Sequence, residues 1–191
     1  MSYYDTIRES IKIKEELSLN DKVHTSVLEI INIFVQAIQS GNKILFCGNG
    51  GSAADAQHLS TELSNRFYLE RNPIYAEALH CNTSYITAVA NDYDYNIVFS
   101  RLIEAVGIKG DVLVAISTSG RSKNIINAIT TAHNKELKTI VFTGNNNNLD
   151  TLCDIIIKIP STNVARIQEG YMLLGHIICE EVEKVLFDIN N

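Results

Sequence analysis

FCGNGGSAADAQHLSTEL, Phe46 to Leu63, sets three glycines and a serine between an apolar run and a helical one. The residues leading into it, Lys43-Ile-Leu-Phe-Cys47, have the continuous apolar character of a buried strand. Those that follow, from about Ser52 to Tyr68, carry the periodicity of a helix. Glycine tolerates a sharp bend and lets a backbone come close to a ligand. A strand, a glycine turn and a helix therefore raise three alternatives: an anion grip, a catalytic element, or only a tight turn.

The same alternation continues on both sides. Upstream, residues 3–19 show a modest helical pattern. Asp21 to Gln39 shows a stronger one, with Val23, Val27, Ile30, Ile31, Phe34, Val35 and Ile38 on one stripe. The two predict a helical hairpin. The apolar content of the second stripe exceeds what one sheet face needs, which points to packing against neighbouring subunits. Downstream, Ala76–Leu79 reads as a short strand, and Ile86–Val89 and Ile97–Val106 as helical. Asp111–Ile116 is a strand running into STSGRS, followed by a helix over Asn124–His133. Thr139–Phe142 is a strand ending in TGNNNN, a run suited to turns. Ile155–Ile159 is the last strand, stopped by Pro160, and a helix from about Val164 to Phe187 closes the chain. Continuous apolar strands alternating with helices predict an α/β fold, a parallel sheet covered on both faces. The expected organisation is one domain, with residues 1–40 as its helical hairpin and 41–191 as the sheet-bearing part.

Composition narrows the class. Of 191 residues, 46% are hydrophobic and 20% charged, the proportions of a globular chain with a core of its own. A net charge of -6 and a pI of about 5.3 argue against nucleic acid, whose phosphates need a basic face. No segment approaches the ~20 apolar residues of a spanning helix, and the charged N-terminus lacks a signal-peptide pattern. A cytoplasmic protein without membrane contact is expected. Cys47, Cys81, Cys153 and Cys179 form no C-x-x-C pair, so neither a zinc ribbon nor a dithiol redox site is indicated.

In a parallel sheet, ligands gather beyond the carboxyl ends of the strands, where two unusual turns lie. In the first, Gly48, Gly50 and Gly51 precede Ser52, which opens a helix whose free N–H groups favour an anion. No Lys-Ser/Thr follows, so it is not a nucleotide-binding P-loop. The second, Ser117-Thr-Ser-Gly-Arg-Ser122, offers hydroxyl and amide donors together, enough to grip a phosphate. The simpler alternative is that Ser119 or Ser122 caps the next helix. Two donor-rich turns at neighbouring strand ends favour the anion site.

Ser52, Asp55, His58 and Glu62 share one face of the helix after the first turn. A solvated His58–Glu62 pair is the plainer account of two of them. On the last helix Gln168, Met172 and His176 recur every four residues. A histidine in an apolar helix is more often a hydrogen-bonded core residue than a ligand. The residues alone give an α/β phosphate binder with acid–base or metal-ligating candidates.

GNGGSAADAQHLSTEL, the AND at 90–92, ISTSGRS and the IQE…H of the last helix resemble the phosphoheptose isomerases of the sugar-isomerase (SIS) domain superfamily, in order and over almost the whole chain. The resemblance implies a flavodoxin-like three-layer sandwich and a homotetramer with sites between subunits. It also implies interconversion of sedoheptulose 7-phosphate and D-glycero-D-manno-heptose 7-phosphate, the entry to activated heptoses for lipopolysaccharide or capsule. By the same likeness, substrate contacts fall on Asn49, Gly50, Gly51, Ser52, Glu62, Asn91, Asp92, Ser117, Thr118, Ser119, Ser122 and Gln168. One zinc per subunit would take His58, Glu62, Gln168 and His176, and the acid–base pair would be Glu62 and His176. Tyr171 departs from the family, which often has histidine there. The competing readings are a tetrameric SIS scaffold that binds the replication initiator, or another SIS sugar-phosphate enzyme. A scaffold needs no Glu62, Gln168 and His176 together, and this chain has all three.

Overall fold

β1, Ile44–Gly48, is buried at every position, which is why its sequence is apolar without alternation. Ile44 and Phe46 pack on one side of it, among residues of the first two helices, the helix after β1 and the last helix. Leu45 and Cys47 pack on the other side, among the middle helices. A strand covered on both faces is the centre of a three-layer sandwich, and the rest of the chain supplies the layers.

The computed structural model describes residues 2–145 and 149–187. The end of the expected asparagine turn, residues 146–148, lies outside the described residues. Around β1 the chain runs through α1 (Tyr3–Ser18), α2 (Asp21–Gln39), α3 (Gly51–Ser64), β2 (Ala76–Ala78) and α4 (Thr83–Asp92). A 3-10 turn (Tyr95–Ile97) leads into α5 (Val98–Val106), β3 (Val112–Ser117), α6 (Lys123–Asn134), β4 (Lys138–Gly144), β5 (Ile155–Ile159) and α7 (Val164–Phe187). The five strands are parallel in the order β2-β1-β3-β4-β5. That is the flavodoxin-like order, and it reverses direction between β1 and β3. The two donor-rich turns end those two strands, so they flank the switch point where such sheets bind ligands.

Two expectations change. The stripe on α2 is covered within the chain: Val23, Val27, Ile30, Ile31 and Phe34 are buried in the core shared with α7 and the sheet. Among the exposed apolar side chains are Tyr3, Tyr4, Ile7 and Ile11 on α1, Leu28 on α2, and Leu173 and Ile177 on α7. The helix after the glycine turn also ends at Ser64, short of Tyr68. The N–H groups of Phe67, Tyr68 and Leu69, which a longer helix would bond internally, donate to the carboxylate of Glu183 on α7. A tertiary partner ends this helix. Among the described residues no helix is long and apolar enough to cross a membrane.

Candidate active site

The glycine turn places α3 and draws α7 to it. Gly50 stands at the N-cap of α3 with φ 55, a conformation that favours glycine. A Cβ on Gly51 would collide with the side-chain amide of Gln168, so α7 meets the turn itself. Further along, Tyr171 bonds Ser52 and Asp55, Gly175 lies against Leu59, and His176 meets His58. Along α7 the contacts move from Gly51 through Ser52 and Asp55 to the neighbouring His58 and Leu59 of α3, so the two helices run side by side in one direction. Gly175 permits the close approach, because a Cβ there would stand 2.8 Å from Leu59.

That approach assembles the reactive group. His58 Nε2 lies 3.0 Å from Glu62 Oε1 and 3.3 Å from His176 Nε2. The ligand atoms of His58, Glu62 and His176 all fall within 4.8 Å of one another, so these three side chains could hold a metal ion. His58 is half exposed and the Glu62 side chain 19% exposed, which leaves the group open to a small molecule. The ring of Phe67 stacks on His176, centroids 5.6 Å apart and planes 22° apart. Burial first, and then the neighbouring His58, lower the pKa of His176 against the opposing pull of Glu62, so its neutral form is favoured. Gln168 sits apart from this group, beside Gly51 and about 10 Å short of His58 along α3 at 1.5 Å per residue.

The two turns are joined across the switch point. Asn49 donates to Asn124 at 2.9 Å and accepts from it at 2.8 Å, and the hydroxyl of Tyr95 donates to Asn49 at 3.0 Å. In the second turn, Ser117 Oγ accepts from the N–H of Gly120 and Ser119 Oγ from that of Arg121. Ser122 occupies the N-cap position of α6 but its side chain makes no cap bond. The first turns of α3 and α6 are thus both without a side-chain cap, whereas Ser2, Asn20 and Asn82 cap α1, α2 and α4. A helix end without a side-chain cap favours an anion, although Ser52 and Ala53 in α3 and Ile125 in α6 already donate to the carbonyls of Asn49, Gly50 and Ser122. A cavity of about 200 Å³ opens beside Thr118, Ser119 and Arg121. Asn91 and Asp92, at the end of α4, are exposed and bonded to each other, 2.9 Å from Asn91 Nδ2 to Asp92 Oδ1.

Two features escaped the sequence. Tyr171 is fully buried, and its hydroxyl donates to Asp55 at 2.7 Å and pairs with Ser52 at 3.0 Å. Burial keeps that phenol protonated, its pKa raised above the ordinary value despite the bond to Ser52. The departure at 171 thus has a defined job, bracing the start of α3. The other is the ion pair of Arg71 with Glu183, 112 residues apart, for which no spacing signal exists.

The description "SIS domain" belongs to a family model that matches residues 2–144. Phosphoheptose isomerase 2 of Campylobacter jejuni is 45% identical over 94% of this chain and 90% of its own length. The phosphoheptose isomerase of Shewanella frigidimarina is 44% identical over 96% and 94%. Among solved structures, a phosphoheptose isomerase from Francisella tularensis superposes with a TM-score of 0.90 at 35% identity, covering 96% of this chain and 100% of that one. That of Neisseria gonorrhoeae gives 0.88 at 36%, covering 95% and 97%.

Proposed function

The chain belongs to the SIS-domain family and, within it, to the phosphoheptose isomerases, and from that premise we propose that it interconverts sedoheptulose 7-phosphate and D-glycero-D-manno-heptose 7-phosphate. The observation that carries the chemistry is the meeting of Glu62 with His58 and His176 along the helix whose uncapped start follows the glycine turn, with a second uncapped start after the serine turn. An anion grip where α3 begins and an acid–base group farther along it suit the two ends of a sugar phosphate, and the heptose product serves lipopolysaccharide or capsule precursors.

Ketose and aldose differ by the position of one proton on carbon and one on oxygen. Glu62 removes the proton from C1 while the C2 carbonyl oxygen is protonated, giving the enediol. The C1 hydroxyl then loses its proton and Glu62 returns a proton to C2. Where no metal occupies its Nε2, His176, whose neutral form is favoured, hydrogen-bonds these oxygens and relays a proton between them. Ser117, Thr118, Ser119 and Ser122 hold the distal phosphate with hydroxyl and amide donors, which orients the sugar chain. Asn49, Gly50, Gly51, Ser52, Asn91, Asp92 and Gln168 complete the sugar contacts.

The donor set fits a zinc ion. Two nitrogens on one tetrahedral zinc, each at 2.0–2.1 Å, stand about 3.3 Å apart, which is the separation of the two imidazole nitrogens here. A bound zinc would polarise the substrate oxygens and stabilise the enediolate charge. His58, Glu62 and His176 would hold it. The distance of Gln168 from these three supports a composite site, in which the fourth ligand comes from a neighbouring subunit of a homotetramer. The exposed apolar residues of α1 and α7 support the same assembly.

Incubating the purified protein with sedoheptulose 7-phosphate and following the aldose phosphate tests the reading. Formation of the heptose is expected. No product with or without added zinc would overturn it.

A further inference from the structure

Arg71 and Glu183 form a buried ion pair, each side chain 1% exposed, 2.8 Å from Nε to Oε1. Every bonding atom of the pair is engaged. Glu183 Oε1 also accepts from the N–H of Phe67, and Oε2 accepts from those of Tyr68 and Leu69. Arg71 Nη1 donates to the carbonyls of Leu63, Asn65 and Asn72, and Nη2 donates to that of Glu62 at 2.8 Å. A buried pair gains little net stability over apolar side chains of equal volume. What this one fixes is geometry.

The geometry it fixes borders the reactive group on two sides. The bond from Nη2 holds the last turn of α3 at the residue that carries the Glu62 carboxylate. The three amides fix the segment leaving α3 so that Phe67 stacks on His176. Glu183 itself lies on α7, two turns beyond His176. The pair thus ties together the elements that present Glu62 and His176, without touching either side chain.

We propose that Arg71 and Glu183 are a positioning pair for the His58–Glu62–His176 group, acting through the Phe67 ring and the end of α3. This rests on the isomerase reading above for its kinetic consequence, and on the three side chains alone for its metal-binding consequence. Groups that orient metal ligands from behind typically govern affinity or turnover by about 10–100-fold. The phosphate and glycine turns lie at the other end of α3, so binding of the sugar phosphate should not depend on the pair.

The test uses the full chain, loaded with zinc for kinetics and titrated with cobalt(II) for affinity, in Glu183→Gln, Phe67→Leu and the double variant. Each single variant is expected to lower kcat with KM unchanged, and to weaken cobalt binding and alter its visible spectrum. The double variant is expected to be no worse than Glu183→Gln alone, because both lie on one path. Folded single variants with wild-type kcat and wild-type cobalt affinity would overturn the proposal, and so would losses that multiply in the double. A lowered Tm with kcat and cobalt spectrum unchanged would make the pair merely structural. Should Glu183→Gln not fold, Phe67→Leu, which leaves the ion pair intact, decides by the same two readouts. Should the wild type fail to isomerise the heptose, the functional reading falls, and cobalt affinity alone still decides the role of the pair.

Discussion

His58 and His176 meet nitrogen to nitrogen at 3.3 Å although 118 residues separate them in the chain. Two imidazole N–H groups cannot face each other, so one nitrogen presents its lone pair; with a cation between them both would. Glu62 adds a carboxylate 3.0 Å from the same nitrogen of His58. Chelation is therefore expected to lower activity and added zinc to restore it, with His176→Ala losing the metal as measured by elemental analysis. Full turnover by metal-free protein would leave Glu62 and His176 as acid–base residues without a metal.

The serine turn should act on binding. Ser119→Ala and Ser122→Ala remove donors to the phosphate, and a hydrogen bond to a charged group contributes about 1.5–3 kcal/mol. Since about 1.4 kcal/mol corresponds to tenfold in affinity, each variant should raise KM roughly tenfold or more with an unchanged Tm. Neither serine caps α6, so there is no helix stability to lose. An unchanged KM would place the phosphate elsewhere.

Acid should unfold the protein through two buried carboxylates. Burial would raise the pKa of Asp111, but the Lys43 ammonium and the N–H groups of Ile108 and Lys43 outweigh it and lower the value. Burial likewise opposes, and the Phe67, Tyr68, Leu69 and Arg71 donors outweigh, the shift at Glu183. A folded pKa below the unfolded one gives stability that is present above the unfolded value. It is lost as pH falls through the folded one. Urea midpoints should be level near neutrality and fall steeply below about pH 4. Asp111→Asn, which leaves the Lys43 charge buried, should cost about 3 kcal/mol near neutrality and make the acid limb shallower. An acid limb as steep as the wild type's would clear Asp111 of this role.

The layering was legible because it rests on local pattern. β1 is apolar throughout since both its faces are buried, and α2 and α7 carry unbroken periodicity. The spacing of Ser52, Asp55, His58 and Glu62 also gave their common face. What spacing could not give is which helix lies against that face. The meeting of His58 with His176 follows from Gly175 admitting Leu59, a contact between residues far apart in sequence. The end of α3 has no local signal for the same reason, since Glu183 decides it from α7.

Tyr171 was visible only as an oddity, and its bonds now define a test. Tyr171→Phe keeps the buried ring but removes the donor to Asp55 and the partner of Ser52. Leaving a buried polar group unpaired costs about 1–3 kcal/mol, so Tm should fall. If Ser52 touches the sugar, KM should rise as well, and an unchanged KM would confine Tyr171 to packing.

The sharpest test separates proton transfer from binding. Glu62→Gln keeps the size and hydrogen-bonding capacity of the side chain and removes its basicity. Loss of a general base typically costs about 10²–10⁴-fold in rate, while the phosphate contacts at the far turn are untouched. The variant should bind the sugar phosphate nearly as the wild type does, fold normally and turn over far more slowly. His176→Gln should behave similarly, because losing either partner breaks one proton path and the two losses should not add. In heavy water the wild type should place solvent deuterium on C2 of the aldose, since a carboxyl group reached by solvent exchanges its proton between removal and return. Glu62 is reached, with its side chain 19% exposed. Wild-type turnover in Glu62→Gln would remove the carboxylate from the mechanism. Retention of protium at C2 in every turnover would mean that the hydrogen never leaves the substrate as an exchangeable proton, and the enediol route would then give way to a direct hydride shift between C1 and C2.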